Sequence, residues 1–251
     1  MKRIAQLTAV LGTVLFAGQA LANEPVEFSE RPLTLTAGTL NAAAFFVVEG
    51  TPGDTGFRID PVVIYGVTDD FEVGAYPAPV RLAPKTKYTN PEVFAAYRLL
   101  RGPIEIAPEL GLVIPVEDGT HTVFIPAIRF LAGLQAFTSL HWTFEFPIRL
   151  TGGDPEADFR FDLQFRLNVA TQIYLHVDTG VELPKYETDG GFVPFGLGVG
   201  YTLAQGDHAF ADLEIGFRFP GLFLTGGGDT TNTDYWELAF SGSFFFGVGA
   251  D

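Results

Sequence analysis

The stretch Phe159 to Val169 reads F-R-F-D-L-Q-F-R-L-N-V, and every second residue in it is apolar. The residues between are Arg160, Asp162, Gln164, Arg166 and Asn168. Because side chains on a β-strand alternate between two faces, the stretch predicts a strand with one hydrocarbon face and one polar face. A half-buried strand of a soluble protein can show the same alternation. The choice between a membrane protein and a soluble protein therefore depends on the rest of the chain.

Similar segments recur along the chain and predict an all-β protein with about twelve strands. Each segment is long enough to cross a bilayer at a tilt, which takes about 9–11 residues. We expect a transmembrane antiparallel up-and-down β-barrel, with a soluble β-sandwich as the alternative. The first segment alternates least clearly, around 39–41, which suggests a bulge. The twelve segments are Leu33–Val48, Phe57–Val67, Phe71–Leu82, Pro91–Leu100, Pro103–Pro115, His121–Leu134, Leu140–Thr151, Asp158–Ala170, Ile173–Pro184, Phe192–Leu203, His208–Leu222 and Asp234–Val248.

The connections between these segments alternate in length. They are tight after the even-numbered segments, as at Thr68-Asp69-Asp70 and Thr171-Gln172. After the odd-numbered segments most are longer, as at Glu49 to Gly56 and Thr225 to Thr233. Transmembrane barrels have short periplasmic turns and longer outer loops. The alternation therefore predicts that both termini lie on the periplasmic side.

The first 22 residues have the order of a secretory signal peptide. Lys2 and Arg3 precede the mostly apolar run Ile4 to Gln19, and the small residues Ala20-Leu21-Ala22 fit a cleavage site. An uncleaved membrane anchor is the alternative. Cleavage near Ala22 predicts export, with the bacterial outer membrane as the destination.

These observations divide the chain into three parts. Residues 1–22 are the signal peptide, residues 23–32 are polar and acidic and are expected to form a short periplasmic leader, and residues 33–251 form the barrel. No linker or low-complexity tract divides the barrel into smaller units.

Composition excludes several functional classes. The chain has 15 basic and 30 acidic residues and a net charge of -15, which argues against nucleic acid as a partner. It has no cysteine, so disulfides, thiolate chemistry and cysteine-based metal sites are excluded. The four histidines show no metal-ligand spacing. We therefore expect neither a metal site nor a cofactor.

The two tryptophans fall on the apolar phase near strand ends. Trp142 lies near the start of the seventh segment, and Trp236 lies near the start of the twelfth. Aromatic girdles of membrane barrels occupy this position at the lipid–water interface. Ordinary core tryptophans are the alternative interpretation.

The polar phase of the strands predicts the lining of the lumen. An isolated charge in a low-dielectric interior is costly, so these groups need either water or partners. The lumen is then either a wet path for solutes or a space filled by paired charges, and twelve strands lie between the filled and the open sizes of barrel. Gly196, Gly198 and Gly200 leave room on one wall, or they mark a bend or tight aromatic packing there. The candidate selectivity residues are Arg129, Glu145, Arg149, Arg160, Asp162, Arg166, Asp178, Glu182, Glu214 and Arg218.

An enzyme is the main rival of a different class. A barrel hydrolase needs a nucleophile with a nearby base. Ser139-Leu140-His141 places a serine and a histidine on one strand face, but the sequence offers no evident third group. A turn serine and a histidine at the lumen mouth explain the same residues, so we expect the protein not to be an enzyme.

The chain resembles bacterial outer-membrane β-barrels at the hairpin Tyr65 to Gly74, Y-G-V-T-D-D-F-E-V-G. This hairpin is especially similar to that of outer-membrane channels and transporters associated with the degradation of aromatic compounds such as phenol. The last strand, Tyr235 to Val248, resembles the terminal strand by which the barrel assembly machinery recognises its substrates. The resemblance implies a channel, with hydrophobic or aromatic solutes favoured.

These observations predict a porin-like outer-membrane channel for passive passage of small solutes through a charge-lined lumen. Its expected partners are outer-membrane lipids, the assembly machinery and solutes that the sequence does not identify. A structural or plugged barrel without transport is the alternative, and a lipid hydrolase is the third interpretation.

Overall fold

The structure is a computed structural model, and it describes residues 24–77, 79–84, 86–116, 121–135, 137–150, 155–187, 190–225 and 231–248. The predicted signal peptide lies outside the described residues and stays a prediction. None of the helices in the described part of the chain is long and apolar enough to cross a membrane.

Twelve antiparallel strands form one closed barrel, which confirms the predicted fold. Each strand pairs with its neighbours in the chain, and β12 pairs with β1 from Gly247↔Thr39 to Trp236↔Gly50. The short helical turns are 3-10 turns at Phe28–Glu30 and Pro184–Tyr186. The strands are β1 (Thr39–Thr51), β2 (Asp54–Thr68), β3 (Phe71–Tyr76, continued by Val80–Ala83), β4 (Glu92–Tyr97, preceded by Lys87–Tyr88), β5 (Ile104–Val113), β6 (Thr122–Gln135), β7 (Thr138–Glu145, continued by Ile148–Leu150), β8 (Phe159–Ala170, preceded by Glu156–Ala157), β9 (Ile173–Leu183), β10 (Phe192–Gln205), β11 (His208–Leu224) and β12 (Trp236–Gly247).

The outer surface of the barrel is apolar. Large hydrophobic side chains such as Leu197, Leu213 and Phe240 are exposed on it, with 52%, 48% and 45% of their area accessible. Contiguous apolar surface of this kind is rare on soluble monomers and is typical of a surface that faces lipid. The alternation that predicted β8 therefore separates an apolar exterior from a polar interior.

Strand β1 differs from the prediction at its start and in its regularity. It begins at Thr39 rather than at Leu33, because Leu33 packs inside the barrel against Ala107 and Leu131. The expected bulge is absent, since the pairings of β1 with β2 and β12 run without a register shift. The alternation is weak because inward positions of β1, such as Val47, are also apolar.

The first connection is short, where the sequence predicted a loop from Glu49 to Gly56. Strands β1 and β2 extend until only Pro52 and Gly53 join them, and Gly53 has a φ of 84°. Proline at the second position of a turn and glycine at the third suit such a connection. Glu49 is consequently a buried wall residue, and its carboxylate pairs with Arg58.

The turns after the even-numbered strands are short, as at Asp69-Asp70, Thr171-Gln172 and Gly206-Asp207. We call the end of the barrel that carries them the short-turn end. The periplasmic location of this end stays a prediction.

Candidate functional site: the barrel lumen

Residues 24–38 include most of the predicted leader and the residues up to the start of β1, and from here on we call this whole segment the leader. It lies inside the barrel at the short-turn end. The first half contacts strands β8 to β11. Ser29 N donates to Asn168 Oδ1 at 2.8 Å, and the Phe28 ring stacks on Tyr174 with centroids 4.0 Å apart. Arg31 pairs with Asp212. These wall residues lie on the polar phase of their strands, so the leader contacts the inner face of the wall.

The second half of the leader contacts the opposite wall. Leu33 N donates to Glu105 Oε2 on β5 at 2.8 Å, and Leu35 N donates to Glu72 Oε2 on β3 at 2.9 Å. Ala37 N donates to Asp69 Oδ1 in the β2–β3 turn at 2.9 Å. The chain then enters β1. A segment of 15 residues that contacts strands on both sides of a barrel crosses its lumen.

The leader is also tied to itself. The buried carboxylate of Glu24 accepts hydrogen bonds from Thr36 N at 2.8 Å and Thr36 Oγ1 at 3.0 Å. The contact joins the two ends of the leader into a loop. The satisfied backbone groups and buried polar side chains indicate a fixed packing arrangement, because buried polar groups are costly unless they are paired.

A cavity of about 420 Å³ lies in the lumen beside the leader, and we call it the lumen chamber. Pro32 and Leu33 of the leader form part of its lining. Its volume lies in the range of small-molecule sites. Five of the predicted selectivity residues line it together with His141, Gln164 and Thr143: they are Arg129, Asp162, Arg166, Asp178 and Arg218.

The chamber's three arginines have different partners. Arg129 Nη2 lies 2.6 Å from Glu72 Oε1 and 2.8 Å from Glu109 Oε2, so its charge is compensated by two carboxylates. Arg166 donates to Gln164 and lies over the Phe28 ring, 4.3 Å from its centroid. Arg218 has no hydrogen bond or ion pair with any described residue, and its Nε is buried.

Three inward glycines on β10 are covered by side chains. A Cβ at Gly200 would overlap the Tyr174 ring, and one at Gly198 would overlap the His176 ring. A Cβ at Gly196 would lie 3.4 Å from Arg218 Cγ. Of the two interpretations offered by the sequence, tight packing therefore describes Gly198 and Gly200. At Gly196 the missing side chain lets Arg218 lie across β10.

His176 joins two acidic wall residues. Its Nδ1 lies 2.7 Å from Asp178 Oδ2, and its Nε2 lies 3.1 Å from Glu214 Oε1. Asp178 Oδ1 also accepts a hydrogen bond from Gln164 at 2.7 Å. The structure thus places Glu214 next to His176 and Tyr174, where it supports the wall of the chamber.

The other predicted selectivity residues lie outside the chamber. Arg160 is 3.7 Å from both Glu145 and Glu182, which are its register partners on β7 and β9. Arg149, in the continuation of β7, lies 2.9 Å from Glu156, which belongs to the short segment that precedes β8. The structure therefore separates the ten residues into a chamber group and flanking ion pairs.

The inner face is not polar all round. Buried apolar residues occupy inward positions of β1, β2, β5 and β6, whereas the charged groups of the chamber are concentrated on β6 to β11. These apolar residues are Val47, Val62, Ala107, Ile125 and Ala127.

Both tryptophans stack on aromatic neighbours. Trp142 lies parallel to Phe130 with centroids 5.1 Å apart, and Trp236 stacks on Phe217 with centroids 6.2 Å apart. Their role at a lipid–water interface stays a prediction.

The serine and the histidine of the hydrolase interpretation do not form a catalytic pair. Ser139 has no accessible surface, and both Ser139 Oγ and His141 Nε2 are buried without a hydrogen-bond partner. A nucleophile requires contact with its base and with substrate. Within the described ranges, no group of three potential ligand residues is arranged to hold a metal ion.

Sequence reasoning missed several lumen residues, among them Phe28 and Arg31 of the leader and Tyr174 of β9. For Arg31 and for Tyr174 the sequence does contain a feature that could have indicated a place in the lumen. Arg31 is the only basic residue between 23 and 32, and Tyr174 falls on the polar phase of β9, two residues before His176. An aromatic residue on a polar phase indicates a stacking partner inside the barrel.

No protein-family model matches the chain, and no curated protein matches its sequence. Solved structures share its fold. The KdgM porin in complex with disordered oligogalacturonate is 8% identical with a TM-score of 0.59, covering 81% of this chain and 98% of that chain. The NanC porin is 9% identical with a TM-score of 0.60, covering 82% and 98%.

The COG4313 outer membrane channel from Pseudomonas putida F1 is also similar. It is 11% identical with a TM-score of 0.60, and the match covers 85% of this chain and 97% of that chain. At these identities the comparisons show the fold alone. The association with degradation of aromatic compounds stays a prediction.

Proposed function

We propose that the protein is an outer-membrane channel for passive passage of small solutes. The lumen chamber carries this proposal: it is a space of about 420 Å³ inside the barrel, lined by polar side chains of several strands. Charged groups in such a position need water or solute around them. The fold shared with porins and channels supports the same function, as does the apolar outer surface.

The proposal includes a location and an orientation. The signal peptide is removed near Ala22, the barrel assembly machinery inserts the protein among outer-membrane lipids, and both termini lie in the periplasm. The leader then narrows the periplasmic end of the lumen. Selectivity arises from the radius left beside the leader and from the charged groups of the wall, chiefly Arg166, Asp162 and Arg218.

A plugged barrel without transport is the second candidate, and the leader is the observation that favours it. The contacts of residues 24–38 with both walls place the leader across the lumen, as a plug would lie. The hairpin resemblance favours hydrophobic or aromatic solutes, and the apolar inward residues are compatible with them. The complete burial of Ser139 argues against a hydrolase.

Liposome swelling tests passage directly. The purified protein is reconstituted into liposomes that are diluted into isotonic solutions of neutral sugars of increasing size. We expect swelling with the smallest solutes and a sharp decrease with size, since the chamber is narrow. A correctly folded barrel, verified by heat-shifted gel migration, that gives no swelling with any solute would support the plugged barrel instead.

A further inference from the structure

We infer that the lumen chamber binds a small organic monocarboxylate. Its carboxylate would pair with Arg166 and Arg218, and its apolar part would lie against Pro32 and Leu33 of the leader. The inference rests on the proposed function in one respect, because solute must reach the chamber from at least one end.

Arg218 provides the first part of the argument. Its side chain lies across Gly196, and its guanidinium makes no hydrogen bond or ion pair with a described residue. The chain has twice as many acidic as basic residues, 30 against 15, yet no described carboxylate lies within 4.0 Å of this group. The carboxylates of Asp162, Asp178 and Glu182 act on Arg218 only from beyond this distance. A partly buried guanidinium with no described anion in contact has donors left for an acceptor, which points to an anion from outside the chain.

Arg166 provides the second part. One face of its guanidinium lies over Phe28, and its Nε donates to the neutral amide of Gln164. It has no ion pair with a carboxylate in the described part of the chain. The strand register relates the two arginines. Arg218 on β11 pairs with Gly196 on β10, and Gly196 pairs with Asp178 on β9. Asp178 in turn pairs with Gln164 on β8, which lies two residues before Arg166. Both arginines therefore line the chamber from the wall formed by β8 to β11.

The charge of the chamber indicates a monoanion. Arg129 is compensated by Glu72 and Glu109, and Asp178 is engaged with His176 and Gln164. The remaining charged groups of the lining are Arg166, Arg218 and the carboxylate of Asp162. Their sum is one positive charge. Because Arg129 and His176 are each contacted by two carboxylates, a second negative charge on the ligand would be repelled.

The shape of the donors and of the lining indicates a carboxylate with an apolar body. The planar guanidinium matches the two oxygens of a carboxylate and binds them with paired hydrogen bonds. Pro32 and Leu33 present hydrocarbon to the same cavity. A cavity of about 420 Å³ accommodates a molecule of the size of benzoate.

Calorimetric titration of the detergent-solubilised, folded barrel with sodium benzoate tests the inference, with uncharged benzamide as the comparison ligand. We expect the wild-type protein to bind benzoate at least about tenfold more tightly than benzamide, since charge-assisted hydrogen bonds are among the strongest polar contacts. Arg218→Gln and Arg166→Gln should each weaken benzoate binding by about tenfold or more, and Arg218→Lys should weaken it less.

Arg81→Gln is the matched control. It removes the same charge from the barrel outside the chamber, and its partner Glu49 keeps Arg58. Benzoate affinity should be unchanged in this variant. Heat-shifted gel migration verifies that every variant is folded, and Arg218→Lys keeps the test valid if the glutamine variant does not fold.

The outcomes separate this inference from the proposed function. Absent benzoate binding, equal binding of benzamide, or an affinity that neither arginine substitution changes would overturn the carboxylate site, even if the protein conducts. Arginine-dependent benzoate binding by a barrel that passes no solute would retain the site and overturn the channel.

Discussion

The guanidinium of Arg31 in the leader forms a two-pronged ion pair with the carboxylate of Asp212 on β11, with Nη2 2.9 Å from Oδ1. Both side chains are buried, and Nη2 also donates to Thr202 Oγ1 at 3.2 Å. The pair fixes the middle of the leader, where the leader crosses the lumen, to the wall of the barrel. Arg31 thus has a carboxylate in direct contact, whereas no described carboxylate lies within 4.0 Å of Arg218.

Arg31→Gln should loosen the leader without unfolding the barrel. Removing one partner of a buried ion pair costs roughly 3–5 kcal/mol, because the other charge is left unpaired. Hydrogen-exchange mass spectrometry should show faster exchange for the amides of Ser29, Leu33 and Leu35, whose hydrogen bonds go to the wall.

The control is Arg101→Gln, which removes an exposed arginine paired with Asp70 at the same end of the barrel. Exchange in the leader should be unchanged in this variant. Equal protection of the leader in wild-type protein and Arg31→Gln would show that the ion pair does not hold it.

Gly200→Ala should destabilise the barrel, whereas Gly216→Ala should be tolerated. The added methyl group at position 200 would overlap the Tyr174 ring, and overpacking of this kind costs about 1–3 kcal/mol. At position 216 the nearest atom, Leu197 O, lies 3.6 Å from the added Cβ. Urea unfolding followed by tryptophan fluorescence measures the difference, and equal midpoints for the two variants would contradict the packing of Tyr174 over β10.

The repeating alternation of the strands predicted the twelve-stranded barrel, because lipid outside and polar groups inside impose the same two-residue period on every strand. The leader was less predictable. Its polar residues look solvated in sequence, and their partners Asn168, Asp212 and Glu105 are far away in the chain. Sequence alone does not indicate which of many lumen charges will pair with one another.

The same distinction between strand phase and pairing partners applies to the candidate site. Arg166 and Arg218 were predicted as inward residues from their phase in the strands. No described carboxylate lies within 4.0 Å of either arginine, and this depends on the register of β8 to β11 and on the pairing of Glu72 and Glu109 with Arg129. Strand phase gives the face of a side chain, whereas register and tilt determine its neighbours.

Asp70 should contribute to a pH dependence of stability. Hydrogen bonds from Arg101 Nε and Nη2, each 2.6 Å long, and a weaker one from Arg98 hold the pKa of the Asp70 carboxyl below its usual range. Because the pKa is lowered on folding, this stabilisation is present above the ordinary pKa of aspartate, about 3.9, and is lost as the pH falls through the lowered value.

Acid unfolding of Asp70→Asn checks this expectation. Near neutral pH, the free energy of unfolding of this variant should be lower than that of the wild type, because the stabilisation by the Asp70 carboxylate is missing. At acidic pH, the free energy of unfolding of the variant should change less with pH than that of the wild type. Asp54→Asn is the control, since Asp54 starts β2 at the other end of the barrel and has no arginine partner among the described residues. An unchanged acid profile in Asp70→Asn would refute the assignment.

Single-channel conductance in a planar bilayer tests the central claim most directly, with wild-type protein, Arg31→Gln and Arg101→Gln compared under the same salt. A channel narrowed by the leader predicts small discrete steps for the wild type and for Arg101→Gln, and larger steps for Arg31→Gln. If none of the three proteins gives conductance steps, although heat-shifted migration shows that each is a folded barrel, the proposed channel is contradicted.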